Sequence, residues 1–417
     1  MKARAAITAF AAVLALAAPA SARIASLGQG AWSWFQDPRA VHVVGRFDQT
    51  YVGFIDWTGH VTVAAYDPRF GTVRKHVVGT LPVDDHSAPS ILVEPDKRLT
   101  VFWSGHNGLE MDYRTSLRPE DIRNWGPVGH VPSTIPGETA RVSLGFTYPN
   151  PVLLPAEGNL VYFFWRGANY SQDYVTRTID LRWGQSRELI SAPGQRPYVK
   201  VASNGRDEIA FAYTNGHPRE TATSVYYMAY RHGWLWTAAG RRIARMGSGP
   251  VAPQRGSLIY DERKTHVHSW VWDVALDRHG TPVVVYTTFP RGGAQDYWYA
   301  RWNGKRWVSH FLIDGGSTIS PGTIEFEYSP GITLDHSNPS VLFMSRKVHG
   351  CDEIEKWTTV DGGANWLRLP VVPCRKGVDN VRPIVPRGWT GGPMGLLWLR
   401  GHYGSYTTYR TTVSFFR

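Results

Sequence analysis

Two histidines, a tyrosine and two arginines stand in short polar stretches that follow or precede apolar runs. The stretches are Asp85-His86-Ser87-Ala88-Pro89, Trp103-Ser104-Gly105-His106-Asn107, Tyr148-Pro149-Asn150-Pro151, Phe164-Trp165-Arg166-Gly167 and His217-Pro218-Arg219-Glu220. Together these side chains can remove a proton next to a carboxylate. Arginine holds and neutralises the acid, while tyrosine and histidine move protons. A lone histidine is more often a structural residue than a catalytic one. Two in matched surroundings, His86 and His106, favour chemistry. The prolines flanking Tyr148 place it at a loop end rather than in the middle of a strand.

Such residues act together only if the fold converges on them. Long amphipathic helices are absent, and short apolar runs recur between turn residues. Seven of them look equivalent: 49–55, 99–103, 160–165, 208–213, 282–287, 340–345 and 394–399. Their mean spacing is about 58 residues, the length of a four-stranded blade with its loops. Thr359-Val360-Asp361-Gly362-Gly363-Ala364-Asn365-Trp366 is an Asp-box hairpin, and 300–307 is expected to form a second hairpin with a near-ideal Asn303-Gly304 turn. The expected fold is all-β, a seven-bladed β-propeller over residues 23–417, with two smaller β domains as the alternative. In a propeller, loops at one rim meet around the axis, so blades two to four can share a pocket.

Lys2 and Arg4 precede a small apolar run, and Pro19-Ala20-Ser21-Ala22 ends it with a cleavage pattern. Residues 1–22 therefore read as a signal peptide, too short for a membrane span. A secreted or periplasmic location follows, with no membrane partner. In that oxidising setting Cys351 and Cys374, the only two cysteines, are expected to form a disulfide. They are too few for a metal site, and no metal-binding motif appears. The net charge of +11 favours a polyanionic partner. The positive residues are dispersed without a nucleic-acid motif, so no nucleic-acid partner is expected. With 18 Trp and 20 Tyr, an acidic polysaccharide suits the chain better.

The chain resembles the BNR-4 propeller family. The resemblance rests on Trp32-Ser33-Trp34-Phe35-Gln36-Asp37-Pro38-Arg39-Ala40, both histidine stretches, Tyr148-Pro149-Asn150-Pro151, Arg196-Pro197-Tyr198 and His217-Pro218-Arg219-Glu220. Asn380-Val381-Arg382-Pro383 and Gly401-His402-Tyr403 extend it to the end of the chain. The family includes ulvan lyases and L-rhamnose-α-1,4-D-glucuronate lyases, which cleave at O4 of a uronate by β-elimination. By that resemblance His86, His106, Tyr148 and Arg166 are the catalytic set. Arg219 is similar to a second carboxylate-binding arginine, and Tyr198 to a site-lining tyrosine. Ser33 stands where many relatives have cysteine, and is expected to affect an apolar strand more than the chemistry. No cofactor is required, although relatives sometimes carry a structural calcium in the channel. A monomer is expected.

In the elimination, Arg166 and Arg219 would stabilise the charge built up when the C5 proton leaves. Tyr148 would act as base and acid if nearby arginine lowers its pKa. The roles of His86 and His106 stay interchangeable at this level. His266 and His268, by alternation on one strand face, are expected to be channel-lining or structural, and His402-Tyr403 to belong to the closing blade. A glycoside hydrolase on the same linkage and a non-catalytic glycan-binding propeller are the competing classes. A sialidase is disfavoured by the single clear Asp box.

Overall fold

The computed structural model describes residues 23–135, 145–168, 171–290 and 292–417. The expected signal peptide lies outside these residues. Among them the strands form seven antiparallel sheets, the blades of a β-propeller. The innermost strands are Ala40–Val43, Ser90–Val93, Thr147–Leu154, Tyr198–Ser203, Ser269–Leu276, Ile332–Leu334 and Asp379–Ile384. The seventh blade is built from both ends of the described chain. Ile24–Gln29 pairs with Thr408–Phe416, which pairs in turn with Leu397–Ser405. This pairing closes the ring and covers an edge that would otherwise be open.

The seven apolar runs are equivalent: each falls in or overlaps the second strand of its blade, the run 394–399 reaching it only from Leu397. These strands are Gln49–Ile55, Leu99–Ser104, Leu160–Arg166, Glu208–Thr214, Pro282–Thr288, Val341–Val348 and Leu397–Ser405. A second strand is packed on both faces by the neighbouring blades. Its residues are therefore apolar in succession, and Gln49–Ile55 is buried throughout. Outer strands such as Thr72–Thr80 are mostly exposed and carry no such run.

Three local expectations are corrected. His266 and His268 do not share a strand face. His266 ends the short helix Glu262–Thr265 in the left-handed region, and His268 precedes the strand and meets the Pro218 carbonyl at 2.6 Å. The Asn303-Gly304 hairpin has a four-residue loop, because Trp302 pairs with Trp307. The Asn303 side chain accepts the Lys305 and Arg306 amides there. Ser33 lies in no strand, as described below.

The Asp box connects Cys351–Thr358 to Leu367–Val372. Asp361 accepts the Asn365 amide and the Thr359 hydroxyl, which hold its pKa down at about 2. Trp366 packs edge-on to Tyr299 of blade five, ring centroids 5.0 Å apart. Cys351 and Cys374 are disulfide-bonded, with Cα atoms 5.5 Å apart.

Residues 31–39 leave the seventh blade and plug the channel before the first inner strand begins. Trp32, Trp34, Phe35 and Gln36 are fully buried. The Trp32 and Trp34 indoles donate to the carbonyls of Arg382 and Val271, in the inner strands of blades seven and five. Asn150 donates to the Phe35 carbonyl, and Lys200 holds the Trp34 carbonyl and Asp37. Trp34 stacks on Trp272 at 4.5 Å. This plug is the floor of the site.

Candidate active site

The link between blades one and two makes a single 3-10 turn, Asp85–Ser87. Asp84 caps it by accepting the His86 amide at 2.9 Å. The same carboxylate grips two imidazoles. One oxygen accepts from His86 Nδ1 at 2.6 Å, the other from His106 Nδ1 at 3.1 Å. His106 follows the second strand of blade two, and the two rings lie parallel, centroids 3.9 Å apart. Burial pulls the His86 pKa down, but Asp84 and Asp85 outweigh it and raise it to about 9. Burial and the charge of His86 lower His106 to about 4, against the opposing pull of Asp84. At neutral pH, then, His86 is a cation and His106 is neutral. Since His106 Nδ1 faces a carboxylate, its proton sits there and Nε2 carries the lone pair. Asp84 itself is kept ionised, burial being outweighed by the two histidines.

Tyr148 sits in a bulge at the start of the third inner strand, where the register shifts between Thr147 and Asn150. Its φ is +60°, a rare and strained conformation for a bulky side chain. Arg382, in the seventh inner strand, repeats the device with φ +52° and a register shift between Val381 and Ile384. In both, a proline follows. The bulges turn Tyr148 and Arg382 toward the channel rather than into a blade interface. Burial raises the Tyr148 pKa well above its ordinary value, against the pull of Arg166 and of Ser33 in the plug. The expectation of a lowered phenol pKa is thus reversed: Tyr148 is a protonated phenol. Ser33 faces the chemistry through that phenol.

Arg166, at the end of the second strand of blade three, is 2% exposed. It donates to Tyr198 Oη at 2.8 Å, Asn107 Oδ1 at 2.9 Å and Thr147 Oγ1 at 3.3 Å. Its guanidinium carbon lies 4.9 Å from the Tyr148 ring centroid and 5.1 Å from that of Tyr198. All of these partners are neutral. The other buried arginines of the region are matched by acids: Arg382 by Asp85, and Arg177 by Glu94 at 2.7 Å. Arg166 is the exception, a buried cation with neutral neighbours.

Arg219 is placed differently from the expectation. It ion-pairs with Glu325 and, at 3.1 Å, with Glu220 at the rim. Its charge is already met by these two carboxylates. Tyr198 does line the site, between Arg166 and the edge-on ring of His217. His217 is kept neutral by burial and by Arg219 and Arg166.

Sequence reasoning passed over several residues. Asp84 lies one position ahead of the quoted stretch, and the consecutive Asp84-Asp85-His86 was the signal for it. Tyr328 meets His86 Nε2 at 3.4 Å, and the Tyr406 ring stands edge-on to His86 at 5.1 Å. Tyr403 of the closing blade donates to Asp85 at 2.5 Å, beside Arg382. The surroundings of Tyr328 and Tyr406 give no sign of this in the sequence, while Tyr403 stands in the Gly401-His402-Tyr403 motif without a role assigned to it.

Asp84, His86 and His106 could in principle face a metal ion. They do not suit calcium, which takes six to eight oxygen ligands. Both Nδ1 atoms are already turned to the one carboxylate. No step is therefore derived through a metal.

Comparison with known proteins agrees with this architecture. A family model described as BNR repeat-containing family member matches residues 49–314. An ulvan lyase from Nonlabens ulvanivorans is 20% identical over 353 residues, 72% of this chain and 69% of that one. An ulvan lyase (PL25) from Pseudoalteromonas sp. (strain PLSV) is 19% identical over 327 residues, 68% of this chain. The match spans 62% of that relative, less than two thirds of its length. The solved structure of a PL25 ulvan lyase bound to -[GlcA(1-4)Rha3S]- superposes with a TM-score of 0.71 at 16% identity. It covers 94% of this chain and 95% of the other, a likeness of fold.

Proposed function

The chain belongs to the BNR repeat-containing family, and on that premise we propose that it is an exported polysaccharide lyase. It acts by β-elimination at O4 of a glucuronate in an acidic glycan. The substrate we assign is glucuronate bearing L-rhamnose at O4, as in the caps of arabinogalactan or gum arabic. Relatives named ulvan lyases, one of them bound to a glucuronate–rhamnose chain, support this choice.

The observation that carries the reading is Arg166, a buried guanidinium surrounded by neutral groups. A buried charge without an opposite charge is costly. A uronate carboxylate supplies that charge on binding, and its own negative charge is then spread when C5 is deprotonated. His86, cationic at neutral pH, adds to the same field. His106 Nε2 takes the C5 proton. The C4–O4 bond breaks as the C4=C5 double bond forms, and the Tyr148 phenol protonates the departing O4. The raised phenol pKa keeps that proton in place until O4 becomes basic.

The test is incubation of the purified protein with gum arabic and with ulvan, following ultraviolet absorbance and released sugar. Absorbance from an unsaturated uronate together with free rhamnose is the expected result. Free rhamnose without absorbance would replace the lyase by a hydrolase. Absorbance from ulvan alone would keep elimination and overturn the rhamnose-cap assignment. No product from either glycan would overturn the proposed substrate.

A further inference from the structure

The outer edge of blade four carries a second cationic surface. Several arginines at the surface of this chain are neutralised by an aspartate one or two positions away. Arg69 pairs with Asp67, Arg98 with Asp96, Arg123 with Asp121, and Arg263 with Asp261. From Thr221 to Tyr260, however, the sequence contains no Asp or Glu. That stretch builds an additional hairpin, Trp234–Trp236 and Arg242–Arg245, beyond the third strand of the blade. Arg241, Arg242, Arg245 and Arg255 are all exposed on it, and Arg187 of blade three is exposed alongside.

These arginines have neutral partners. The Arg242 guanidinium lies over the rings of Trp234 and Trp236, 4.7 and 5.2 Å from their centroids. Stacking holds such a fork flat with its edge free for an anion. Arg255 donates to the Ile243 carbonyl, and Arg187 to the Gly247 carbonyl and to Gln185. Arg187 and Arg245 flank a groove of about 350 Å³ between blades three and four, with Tyr162, Tyr174 and Tyr230 also lining it. The one carboxylate bonded to those tyrosines, Glu157, accepts the Tyr162 and Tyr230 hydroxyls. Arg241, Arg242 and Arg255 line a second cleft of about 210 Å³.

We infer that this edge is an accessory binding site for an acidic polysaccharide chain, separate from the channel. Arginine forks match carboxylate and sulfate groups, and the buried tyrosines form the wall of the groove between them. Three strands of the blade separate it from the axis, so a long chain held here stays near the channel without occupying it. The choice of an acidic glycan rests on the proposed substrate class; the binding itself does not require turnover.

The test is native electrophoresis of the whole protein through gels containing ulvan, in a Tyr148→Phe background that prevents cleavage. The comparison is a variant combining Arg187→Ala, Arg241→Ala, Arg245→Ala and Arg255→Ala. Retardation is expected to weaken about tenfold in this variant, the sum of several small exposed-charge contacts. With Tyr148 restored, the arginine variant should cleave a short glucuronate oligosaccharide as the unaltered protein does and long polymer more slowly. Unchanged retardation would overturn the site. Retardation by DNA of similar charge density, equal to that by ulvan and lost in the same variant, would overturn the glycan assignment. A failure of the lyase reading would show instead as absent cleavage with the retardation difference intact.

Discussion

His86 and His106 stack face to face, 3.9 Å between centroids and 3° between planes, while holding different charge states. Both are tied to Asp84, yet His86 is raised to about 9 and His106 lowered to about 4. The asymmetry arises because His86 also meets Asp85, and its positive charge then opposes a second one 3.9 Å away. One carboxylate thus supports a cation and a neutral base side by side.

Activity should therefore be bounded on both sides by this pair. Protonation of His106 near pH 4 removes the base, and deprotonation of His86 near pH 9 removes the cation. The profile of kcat/KM against pH is expected to be bell-shaped between those limits. A rate that keeps rising beyond pH 10 would contradict the role given to His86.

Stability should follow the same pair with worked-out signs. Between about 6.5, the ordinary value, and about 9, folded His86 holds a proton that the unfolded chain has lost, so stability falls as pH rises. Between about 6.5 and about 4, the unfolded chain binds a proton that folded His106 does not, so stability falls as pH drops. The pair contributes most near pH 6.5. Thermal midpoints of His86→Gln should lose the alkaline slope and show a shallower acid one, because burial still opposes protonation of His106 but the charge of His86 no longer does.

Asp84→Asn keeps the shape of the cap and removes the shared charge. The His86 pKa falls, and the alkaline limb of the rate profile should move toward neutrality. The rate at neutral pH should drop about 100-fold, the scale of a lost acid–base element. An unmoved limb would show that Asp84 does not hold His86 charged.

Arg166 and Arg382 are both buried, but removing them should have opposite consequences. Arg382→Ala leaves Asp85 as a buried carboxylate without its cation, and should cost about 3–5 kcal/mol of stability. Arg166→Ala abandons no acid, so the fold should survive while kcat falls about 100- to 1000-fold. Denaturant melts beside turnover assays separate the two. Equal destabilisation by both would make Arg166 a structural residue.

Reducing the Cys351–Cys374 bond, or Cys351→Ser with Cys374→Ser, should lower stability by about 3 kcal/mol, given a loop of 23 residues. Turnover at moderate temperature should be unaffected, because the bond braces the outer part of blade six.

The blade count was legible because second strands are buried on both faces and leave an apolar signature at each repeat. His106 and Arg166 stand out in the sequence because each closes a second strand beside a turn, whereas His86 lies in the link between blades and Tyr148 at the start of an inner strand. The pairing of Arg219 was not legible, since a charge looks the same in sequence whether free or paired, and Glu325 lies more than a hundred residues away. The plug at 31–39 was visible as a motif, but not as a floor: a chain segment that crosses the axis has no periodicity of its own.

The sequence by itself determined the repeat, the residue types available for proton transfer and the sign of the overall charge. These follow from local pattern and composition. Only the tertiary structure decided which histidine is charged, that Tyr148 keeps its proton, and that Arg166 rather than Arg219 is the cation without an acid. Those properties depend on burial and on charges a few ångströms apart in space, and ring closure brings them together from blades one to seven.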